Sequence, residues 1–339
     1  MQKPRKIPAF ALVGAALVIL AICAQAPAAE GPAKPMAAEL APMAQRSLLT
    51  RIVRAGSRLV AVGSRGHILL SDDGREWRQV AAPVNGLLTS VSFVDERRGW
   101  AVGHDAAILH TADGGTTWTL QLFRPEWNQA LLDVLFLDAR HGFAVGAYGL
   151  FLETRDGGVS WLQIEAPIVE EKLHFNALLR LGDGGLLVIG EEGMLALSDD
   201  QGATWQRLVS PYESSLFAAL PTGEHGVLLG GLRGNLYRSE DPRAGQWTRI
   251  DLGTPQSVFG LASMPDGSIA IAGLNAMLMQ LWPDGRLAKP TLAATDAQAG
   301  DAGVVNEREL GAFSAVMAAP PGLITVGDAG IRYWQSGAR

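Results

Sequence analysis

Short apolar runs recur along this chain, and each of them ends in a small-residue step that is followed by a turn. The seven steps are Val62-Gly63, Val102-Gly103, Val145-Gly146, Ile189-Gly190, Leu229-Gly230, Ala272-Gly273 and Val326-Gly327. The intervals between them are 40, 43, 44, 40, 43 and 54 residues. Repeats of this length are typical of β-propellers, in which one four-stranded blade recurs around an axis. The pattern therefore predicts an all-β, seven-bladed propeller.

The second repeat shows where the strands of a blade should lie. Residues Thr89 to Val94 alternate between polar and apolar, as in a half-buried strand. Turn signals then separate three further predicted strands, at Trp100 to Gly103, Ala107 to Thr111 and Thr116 to Leu122. The third repeat has the same order, so each blade is predicted to contain four antiparallel strands.

The seventh repeat is incomplete, because it runs from Phe313 to Trp334 and contains only three predicted strands. A closed ring removes exposed sheet edges. We therefore predict that residues from about Ala37 to Ala44 supply the missing outer strand and close the propeller from its N-terminal side.

The first 29 residues are predicted to be an export signal. A basic start with Lys3, Arg5 and Lys6 precedes an uninterrupted apolar stretch from Ala9 to Ala24, and nearby alanines offer a cleavage site. A retained anchor helix is the alternative. Residues 30–42 form an Ala/Pro-rich linker that includes the possible closing strand, and the propeller is predicted to occupy residues 43–339.

Cys23 is the single cysteine of the chain and lies within the predicted signal. Its surroundings resemble a bacterial lipoprotein box, except that Ile22 stands where a small residue is usual. We expect an exported protein that is periplasmic or membrane-associated on the outer side of the inner membrane, and lipidation of Cys23 stays open. The remaining chain has no disulfide and no thiol chemistry.

Charge argues against nucleic-acid partners. The formal net charge is −6, and loss of the three N-terminal cations makes it −9. Nucleic-acid binding without sequence preference needs a clustered positive surface, and no block of Lys or Arg is present. We also expect no cofactor, since the Gly-rich steps lack the helix and Lys of a phosphate-binding loop.

A turn motif with the pattern S/T-x-D-x-G-x-T/S-W occurs at residues 111–118, 154–161 and 198–205. It is the Asp-box, also known as the bacterial neuraminidase repeat. The carboxylate can accept N–H bonds within the loop, and the tryptophan can pack between blades. Because the motif recurs from blade to blade, we predict a structural role, with calcium binding as the minor alternative. The predicted structural residues are Asp72, Asp113, Asp156, Asp200, Trp77, Trp118, Trp161 and Trp205.

Loops that join the second and third strands of a blade should share one face with the loops between blades, opposite the Asp-boxes. Aromatic and charged residues in these loops suit protein recognition. The predicted partner-binding residues are Arg124, Trp127, His174, Tyr212, His104, Tyr148 and Arg233. The alternative is that Trp127 and Phe175 only fill the space between blades.

Two repeats carry a more specific resemblance, from Val91 to Trp118 and from Val134 to Trp161. Their Gly-Trp/Phe-Ala-Val-Gly strands and Asp-Gly-Gly-x-Thr/Ser-Trp boxes resemble the photosystem II assembly/stability factor family of seven-bladed propellers. The resemblance implies an exported, non-enzymatic factor, monomeric by itself, that binds a membrane protein complex. Two clients remain open: a photosystem-type subunit, or an exporter, as for relatives in non-photosynthetic bacteria.

An enzyme is the competing hypothesis, because Asp-boxes also occur in sialidases and other glycosidases. Phe123-Arg124-Pro125 only loosely resembles the sialidase Arg-Ile-Pro motif and follows the second box. Glu171 and Glu191 are an example of carboxylates that a ring could bring together for hydrolysis. No spacing singles them out, so a glycoside hydrolase or glycan-binding protein is the alternative interpretation, and no catalytic residue is assigned.

Overall fold

The computed structural model describes residues 34–292 and 310–336. Seven four-stranded antiparallel sheets follow one another along the chain. The strands of the first four sheets are β1 Leu49–Ala55, β2 Arg58–Gly63, β3 Ile68–Ser71, β4 Arg78–Val80, β5 Leu88–Phe93, β6 Gly99–Gly103, β7 Ile108–Thr111, β8 Thr119–Leu122, β9 Leu131–Phe136, β10 Gly142–Gly146, β11 Phe151–Thr154, β12 Leu162–Gln163, β13 Phe175–Arg180, β14 Leu186–Gly190, β15 Leu195–Ser198 and β16 Gln206–Arg207. The prediction of a seven-bladed propeller is confirmed.

The last three sheets complete the ring. Their strands are β17 Leu216–Thr222, β18 Gly226–Gly231, β19 Asn235–Ser239, β20 Thr248–Asp251, β21 Val258–Ser263, β22 Ile269–Gly273, β23 Leu278–Leu281, β24 Leu287–Ala288, β25 Thr291–Leu292, β26 Phe313–Ala319, β27 Gly322–Gly327 and β28 Gly330–Gln335. One short α-helix, Pro167–Glu170, lies between blades three and four. The predicted export signal, Cys23 and most of the segment between β25 and β26 lie outside the described residues.

Glycines at the ends of the second strands allow the start of the innermost strand of the same blade to approach closely. A Cβ atom on Gly103 would lie 2.1 Å from the carbonyl oxygen of Leu87, the residue that precedes the innermost strand β5. The same approach occurs in the other blades, for example between Gly146 and Ala130 O. The recurrent small-residue step therefore reflects a backbone contact that no side chain would permit.

The innermost strands are also joined from blade to blade by side chains. Each of them contains one extra residue at a bulge, for example Thr50 in β1 and Thr89 in β5. The Thr50 hydroxyl donates to Leu88 O (2.7 Å), and the Thr89 hydroxyl donates to Leu131 O (2.7 Å). These bonds connect blade one to blade two and blade two to blade three.

The outer strand of blade seven differs from the prediction. It is β25, which pairs with β28 through Thr291 opposite Gln335 and Leu292 opposite Trp334. The predicted closing strand at about Ala37 to Ala44 is wrong, since these residues form no strand. Their burial has a period of three, with Pro35, Ala38, Ala41 and Ala44 turned inward, whereas a strand has a period of two.

The N-terminal segment nevertheless contributes to ring closure. Ala44 is buried in an apolar cluster that contains residues of blades one and seven. Gln45 O lies so close to Gly330, at the start of β28, that a Cβ there would be 2.1 Å away. The Trp77 indole N–H of blade one also donates to the Tyr333 hydroxyl of blade seven (2.7 Å). The Arg54 guanidinium of blade one also donates to Ala318 O of blade seven (3.3 Å). The ring is closed by packing and by these hydrogen bonds rather than by a shared N-terminal strand.

Candidate partner-binding face

Six blades present the same backbone turn between their second and third strands. The second residue of each turn is left-handed although it is not glycine, with φ between 49° and 59°: Arg65, Asp105, Tyr148, Glu192, Arg233 and Asn275. In four blades the next residue is a left-handed glycine, as at Gly66, where a Cβ would lie 2.0 Å from Val84 O. The turn thus fixes one side chain per blade in a sparsely populated conformation.

Backbone hydrogen bonds join these turns to the loops between blades. Ala106 N donates to Gln129 O (3.0 Å), Gly149 N donates to Leu173 O (2.8 Å), and Gly193 N donates to Ser214 O (3.1 Å). The two kinds of loop therefore lie on one face, as predicted. We refer to this surface, formed by the turns after the second strands and the loops between blades, as the loop face.

All seven predicted partner-binding residues lie in loops of this face. Arg124, His104, Tyr148 and Arg233 are exposed, whereas Trp127, His174 and Tyr212 are partly buried. Arg124 is next to the His104 turn, because its backbone N–H donates to Asp105 O (2.8 Å). Its guanidinium lies 3.8 Å from the Glu126 carboxylate, a solvated pair that contributes little to stability.

Tyr148 and His174 are brought together between blades three and four. Their rings are perpendicular, with centroids 4.7 Å apart, and 59% of Tyr148 is exposed. Glu191 accepts from the His174 backbone N–H (3.3 Å) and lies 3.9 Å from His174 Nδ1. Gln129, which sequence reasoning missed, donates to Ala147 O (3.2 Å) beside this group. An exposed aromatic ring supported by a histidine and a carboxylate is thus held on the loop face.

Tyr212 and Arg233 do not join that group. The Tyr212 ring is 6.1 Å from the Tyr237 ring, and the Tyr237 hydroxyl donates to Asn235 (3.1 Å). Arg233 is turned to the next blade, where its backbone N–H donates to the Ser257 hydroxyl (3.3 Å). The predicted residues therefore fall into at least two separate areas of the face.

The alternative interpretation, in which aromatic residues of the loops only fill the space between blades, holds for some of these residues. Phe175 is completely buried, and Trp127 packs against an apolar cluster that contains residues of blades two and three. Substitution of Trp127 would therefore disturb the blade contact as well as any partner contact. Arg124 and Tyr148 have no such role and are the better probes of the face.

The opposite face carries the turns with the S/T-x-D-x-G-x-T/S-W pattern. Asp113 accepts from Thr117 N (2.9 Å), the Thr117 hydroxyl (2.6 Å) and the Thr111 hydroxyl (2.9 Å). Asp156 and Asp200 make the corresponding bonds. The hydroxyl of Ser160 is the largest cause that lowers the pKa of Asp156 to about 2. These carboxylates bond within their own loops, as the sequence predicted.

The first of these turns requires a correction, because Asp73 rather than Asp72 accepts the loop hydrogen bonds. Asp73 accepts from Arg75 N (2.8 Å) and Glu76 N (2.9 Å), while Asp72 is exposed and pairs with Arg58 (2.8 Å). The loop is one residue shorter than the others. Counting back from the tryptophan therefore selects the wrong aspartate, whereas counting from the preceding serine selects the right one.

The tryptophans of these turns lie between their own blade and the preceding blade. Trp118 and Trp205 are each 7% exposed, and Trp161 packs against an apolar cluster of blades two and three. The Trp118 indole N–H donates to Gly115 O (2.8 Å). Trp77 takes part in ring closure. The predicted packing role of all four indole rings agrees with these contacts.

An ion-pair network between blades four and five was not predicted. Asp183 lies 2.8 Å from His225 Nδ1 and 2.8 Å from Arg243 Nη2, and Arg243 also pairs with Asp199 and Asp241. The hydrogen bond that His225 donates to Asp183 raises the pKa of His225. The signal in the sequence was the irregular fifth repeat, where Arg243 stands in a turn that has lost the box pattern.

The carboxylates considered for hydrolysis have different partners. Glu171 accepts from Arg207 (2.8 Å), and Glu191 is occupied with His174. Among the described residues, no three His, Cys, Asp or Glu side chains are grouped so that they could hold a metal ion. No helix within residues 34–292 and 310–336 is long and apolar enough to cross a membrane.

Comparison with known families gives a match over most of the blades. The family model described as "Photosynthesis system II assembly factor YCF48" matches residues 69–126 and 120–273. The photosystem II assembly protein Ycf48 of Thermosynechococcus vestitus is 32% identical over 201 residues, which are 58% of this chain and 56% of that protein. The match thus spans about half the length of this curated relative.

Solved structures show the same fold. The structure "YCF48 bound to D1 peptide" aligns with a TM-score of 0.66 at 16% identity, covering 90% of this chain and all of that chain. YCF48 from Cyanidioschyzon merolae aligns with a TM-score of 0.62 at 16% identity, covering 88% of this chain and 98% of that one. The WD40 propeller domain of Doa1 aligns almost as well, with a TM-score of 0.63 at 12% identity and 90% and 98% coverage. At these identities the structural likeness supports the fold alone.

Proposed function

This chain belongs to the family of the photosystem II assembly factor Ycf48, and from that premise we propose that it is an exported, non-enzymatic factor that binds a membrane protein complex during its assembly or operation. The loop face is the proposed binding surface. The protein acts as a monomer, and its partner is a segment of polypeptide rather than a nucleic acid or a small cofactor.

The family match carries this proposal. It covers residues from β3 of blade one to the end of β22 in blade six, and so includes the loops that present Arg124, Tyr148 and His174. One of the related solved structures is of YCF48 bound to a D1 peptide. A propeller of this kind can therefore accept a peptide, and we extend this property to the present chain.

The chemistry of the loop face supports a polypeptide partner. Tyr148 offers a large, exposed and conformationally fixed ring, and Arg124 offers an exposed guanidinium. Tyrosine and arginine are among the residues that contribute most to the binding free energy of protein interfaces. Because the turn already holds Tyr148 in its left-handed conformation, binding costs less conformational entropy than it would in a flexible loop.

A non-enzymatic role is supported by what the acidic residues do. Asp113, Asp156 and Asp200 bond within their own turns, which recur from blade to blade and so do not mark one active site. Export rests on the basic start and the apolar run from Ala9 to Ala24. The location is periplasmic or on the outer side of the inner membrane, with lipidation of Cys23 as a further possibility. A photosystem-type subunit and an exporter are the two proposed clients.

The test is affinity purification of the tagged full-length chain from its native membranes in mild detergent, followed by mass spectrometry. The loop-face variant Arg124→Ser/Tyr148→Asn removes both probes, and asparagine tolerates the left-handed backbone. The control Arg140→Ser/Val159→Ser removes an exposed arginine and an exposed apolar side chain from the opposite face of blade three.

We expect a membrane protein to be recovered with the wild type and the control, and its yield to fall about tenfold or more with the loop-face variant. This loss corresponds to about 1.4 kcal/mol of binding free energy. Circular dichroism of each variant checks that the fold is retained. Equal recovery with all three proteins would contradict the assignment of the loop face, and recovery of no membrane protein would contradict the proposed function.

A further inference from the structure

The segment from Pro35 to Ala44 turns small residues toward the propeller and large apolar residues toward solvent, and the proposed client site does not include it. We call it the N-terminal strap. Burial along the strap repeats every third residue, with Pro35, Ala38 and Ala41 partly buried and Ala44 fully buried. The strap ends in a turn, in which Ala44 N donates to Ala41 O (3.1 Å) at the start of a short 3-10 helix, Ala44–Arg46. The inward side is made of small residues that bring the strap close to the propeller.

Hydrogen bonds to blade one hold the strap in place. Ala38 N donates to Ala82 O (2.9 Å), and Ala41 N donates to the side-chain oxygen of Gln79 (2.7 Å). The Gln79 amide nitrogen in turn donates to Glu39 O (2.9 Å). Since both ends of the Gln79 amide are used, the side of the strap that points to solvent is fixed.

The outward side of the strap carries large apolar side chains. Met36 is 66% exposed, Leu40 is 65% exposed and Met43 is 48% exposed. The described residues contain eight exposed large hydrophobic side chains, so three of them lie within eight consecutive positions. Glu39 is the one charged residue between Pro35 and Gln45. Clustered apolar side chains exposed on a fixed surface indicate a site that something else covers.

A cavity of about 330 Å³ lies beside the strap at blade one. Its lining is mixed, with Leu40, Leu69 and Trp77 together with Gln45 and Gln79. The backbone of the strap is not the edge of a sheet. A partner strand would therefore find no row of backbone groups to pair with along it.

The position of the strap in the chain points to lipid as the covering surface. Met36 lies twelve positions after Ala24, the last residue of the apolar run. Even a fully extended chain of this length spans at most about 40 Å. Where the apolar run is retained as an anchor helix, the chain keeps the strap within that distance of the bilayer, and exposed Met and Leu side chains favour the boundary of the headgroups.

We propose that Met36, Leu40 and Met43 contact the lipid surface of the membrane and hold the rim of blade one against it. Three side chains provide a reversible contact, because stable anchoring takes a second signal. The strap borders the loop face at blade one, where Ala38 bonds to Ala82 in the loop between blades one and two. Arg124 and Tyr148, the proposed client contacts, lie in loops of blades two and three and remain available for a client. Lipid contact at the strap depends neither on the identity of the client nor on the proposed assembly role.

The first test measures co-flotation of the purified full-length protein with phosphatidylethanolamine–phosphatidylglycerol vesicles. The variant Met36→Ser/Leu40→Ser/Met43→Ser should lower the fraction bound about tenfold or more, since each side chain loses apolar area that lipid would cover. The control Val159→Ser/Leu162→Ser/Val209→Ser removes the same number of exposed apolar side chains from blades three and four. It should bind as the wild type does.

A second readout covers the case in which the N-terminal apolar run dominates vesicle binding. A fluorophore sensitive to polarity is attached at Leu40→Cys in a Cys23→Ser background, with Val159→Cys as the control position. Its emission should shift to shorter wavelength on vesicles at position 40 and stay unchanged at position 159.

No shift at position 40, or equal shifts at both positions, would overturn the proposal. Absence of vesicle binding by the wild type would do the same. A shift at position 40 with native membranes but not with protein-free vesicles would show that a protein covers the strap, and it would also overturn the lipid assignment. Client recovery with the loop-face variant is measured separately, so failure of either proposal can be recognised without the other.

Discussion

Replacement of Asp133 by asparagine should destabilise the ring at the junction of three blades. Asp133 lies on the innermost strand β9 and is only 4% exposed. Its Oδ1 atom accepts from the Ser90 hydroxyl of blade two (2.6 Å) and from Val134 N (2.9 Å). Its Oδ2 atom accepts from Leu178 N of blade four (2.9 Å). One carboxylate thus satisfies buried donors from three neighbouring sheets.

The magnitude follows from the number of acceptors that asparagine retains. Its amide has one oxygen, so the amide nitrogen must face either Leu178 N or the Ser90 and Val134 donors. The better orientation still leaves the buried Leu178 N–H opposite another donor, and an unsatisfied buried group costs about 1–3 kcal/mol. Bonds to the remaining oxygen are weaker because the charge is lost. Relief of the buried charge works in the opposite direction. We expect a net loss of about 2–3 kcal/mol in the free energy of unfolding.

Urea unfolding followed by tryptophan fluorescence measures this loss. Asp105→Asn is the matched control, because Asp105 is exposed and asparagine tolerates its left-handed backbone. The Asp133 variant should unfold at a clearly lower urea concentration than the control, whose midpoint should equal that of the wild type. A midpoint for Asp133→Asn that coincides with the control would refute the view that this carboxylate joins the three blades.

Two further predictions concern contacts between blades. His225→Gln should lower the unfolding midpoint at about pH 6 but not at about pH 9. Because the pKa of His225 is raised in the folded state, its protonated form stabilises the fold fully below the unfolded pKa of about 6.5, and this effect is lost as pH rises through the folded pKa. An equal effect at both pH values would exclude the ion pair with Asp183. Tyr333→Phe removes the acceptor of the Trp77 indole N–H between blades one and seven and should lower the free energy of unfolding by about 1 kcal/mol. No measurable loss in urea unfolding would show that this bond does not hold blades one and seven together.

Much of the ring was predictable because its strongest signals are local. The small-residue steps repeat for a steric reason, as the carbonyl contact at Gly103 illustrates. The outer strand of blade seven was not predictable in this way. It has only two residues, Thr291 and Leu292, and a long segment of the chain separates it from β26, the next strand of its sheet. The prediction of a strand in the strap was wrong because burial there has a period of three, set by Ala38, Ala41 and Ala44.

The loop face was predictable as a location but less so in its details. Strand order places the loops, and the left-handed turn then exposes one residue in each of six blades, such as Tyr148. Whether an aromatic ring faces solvent or the blade contact depends on packing that the sequence does not display, which is why Trp127 and Tyr148 differ. Networks such as that of Asp183 and Arg243 join residues 60 positions apart and were invisible to reading by motif.

Photocrosslinking in native membranes tests the central claim most directly. A photoreactive amino acid replaces Tyr148 on the loop face in one variant and Val159 on the opposite face in another, and the adducts are identified by mass spectrometry. We predict that position 148 forms an adduct with a subunit of a membrane protein complex and that position 159 does not. Adducts with such a subunit from position 159 alone would contradict the account.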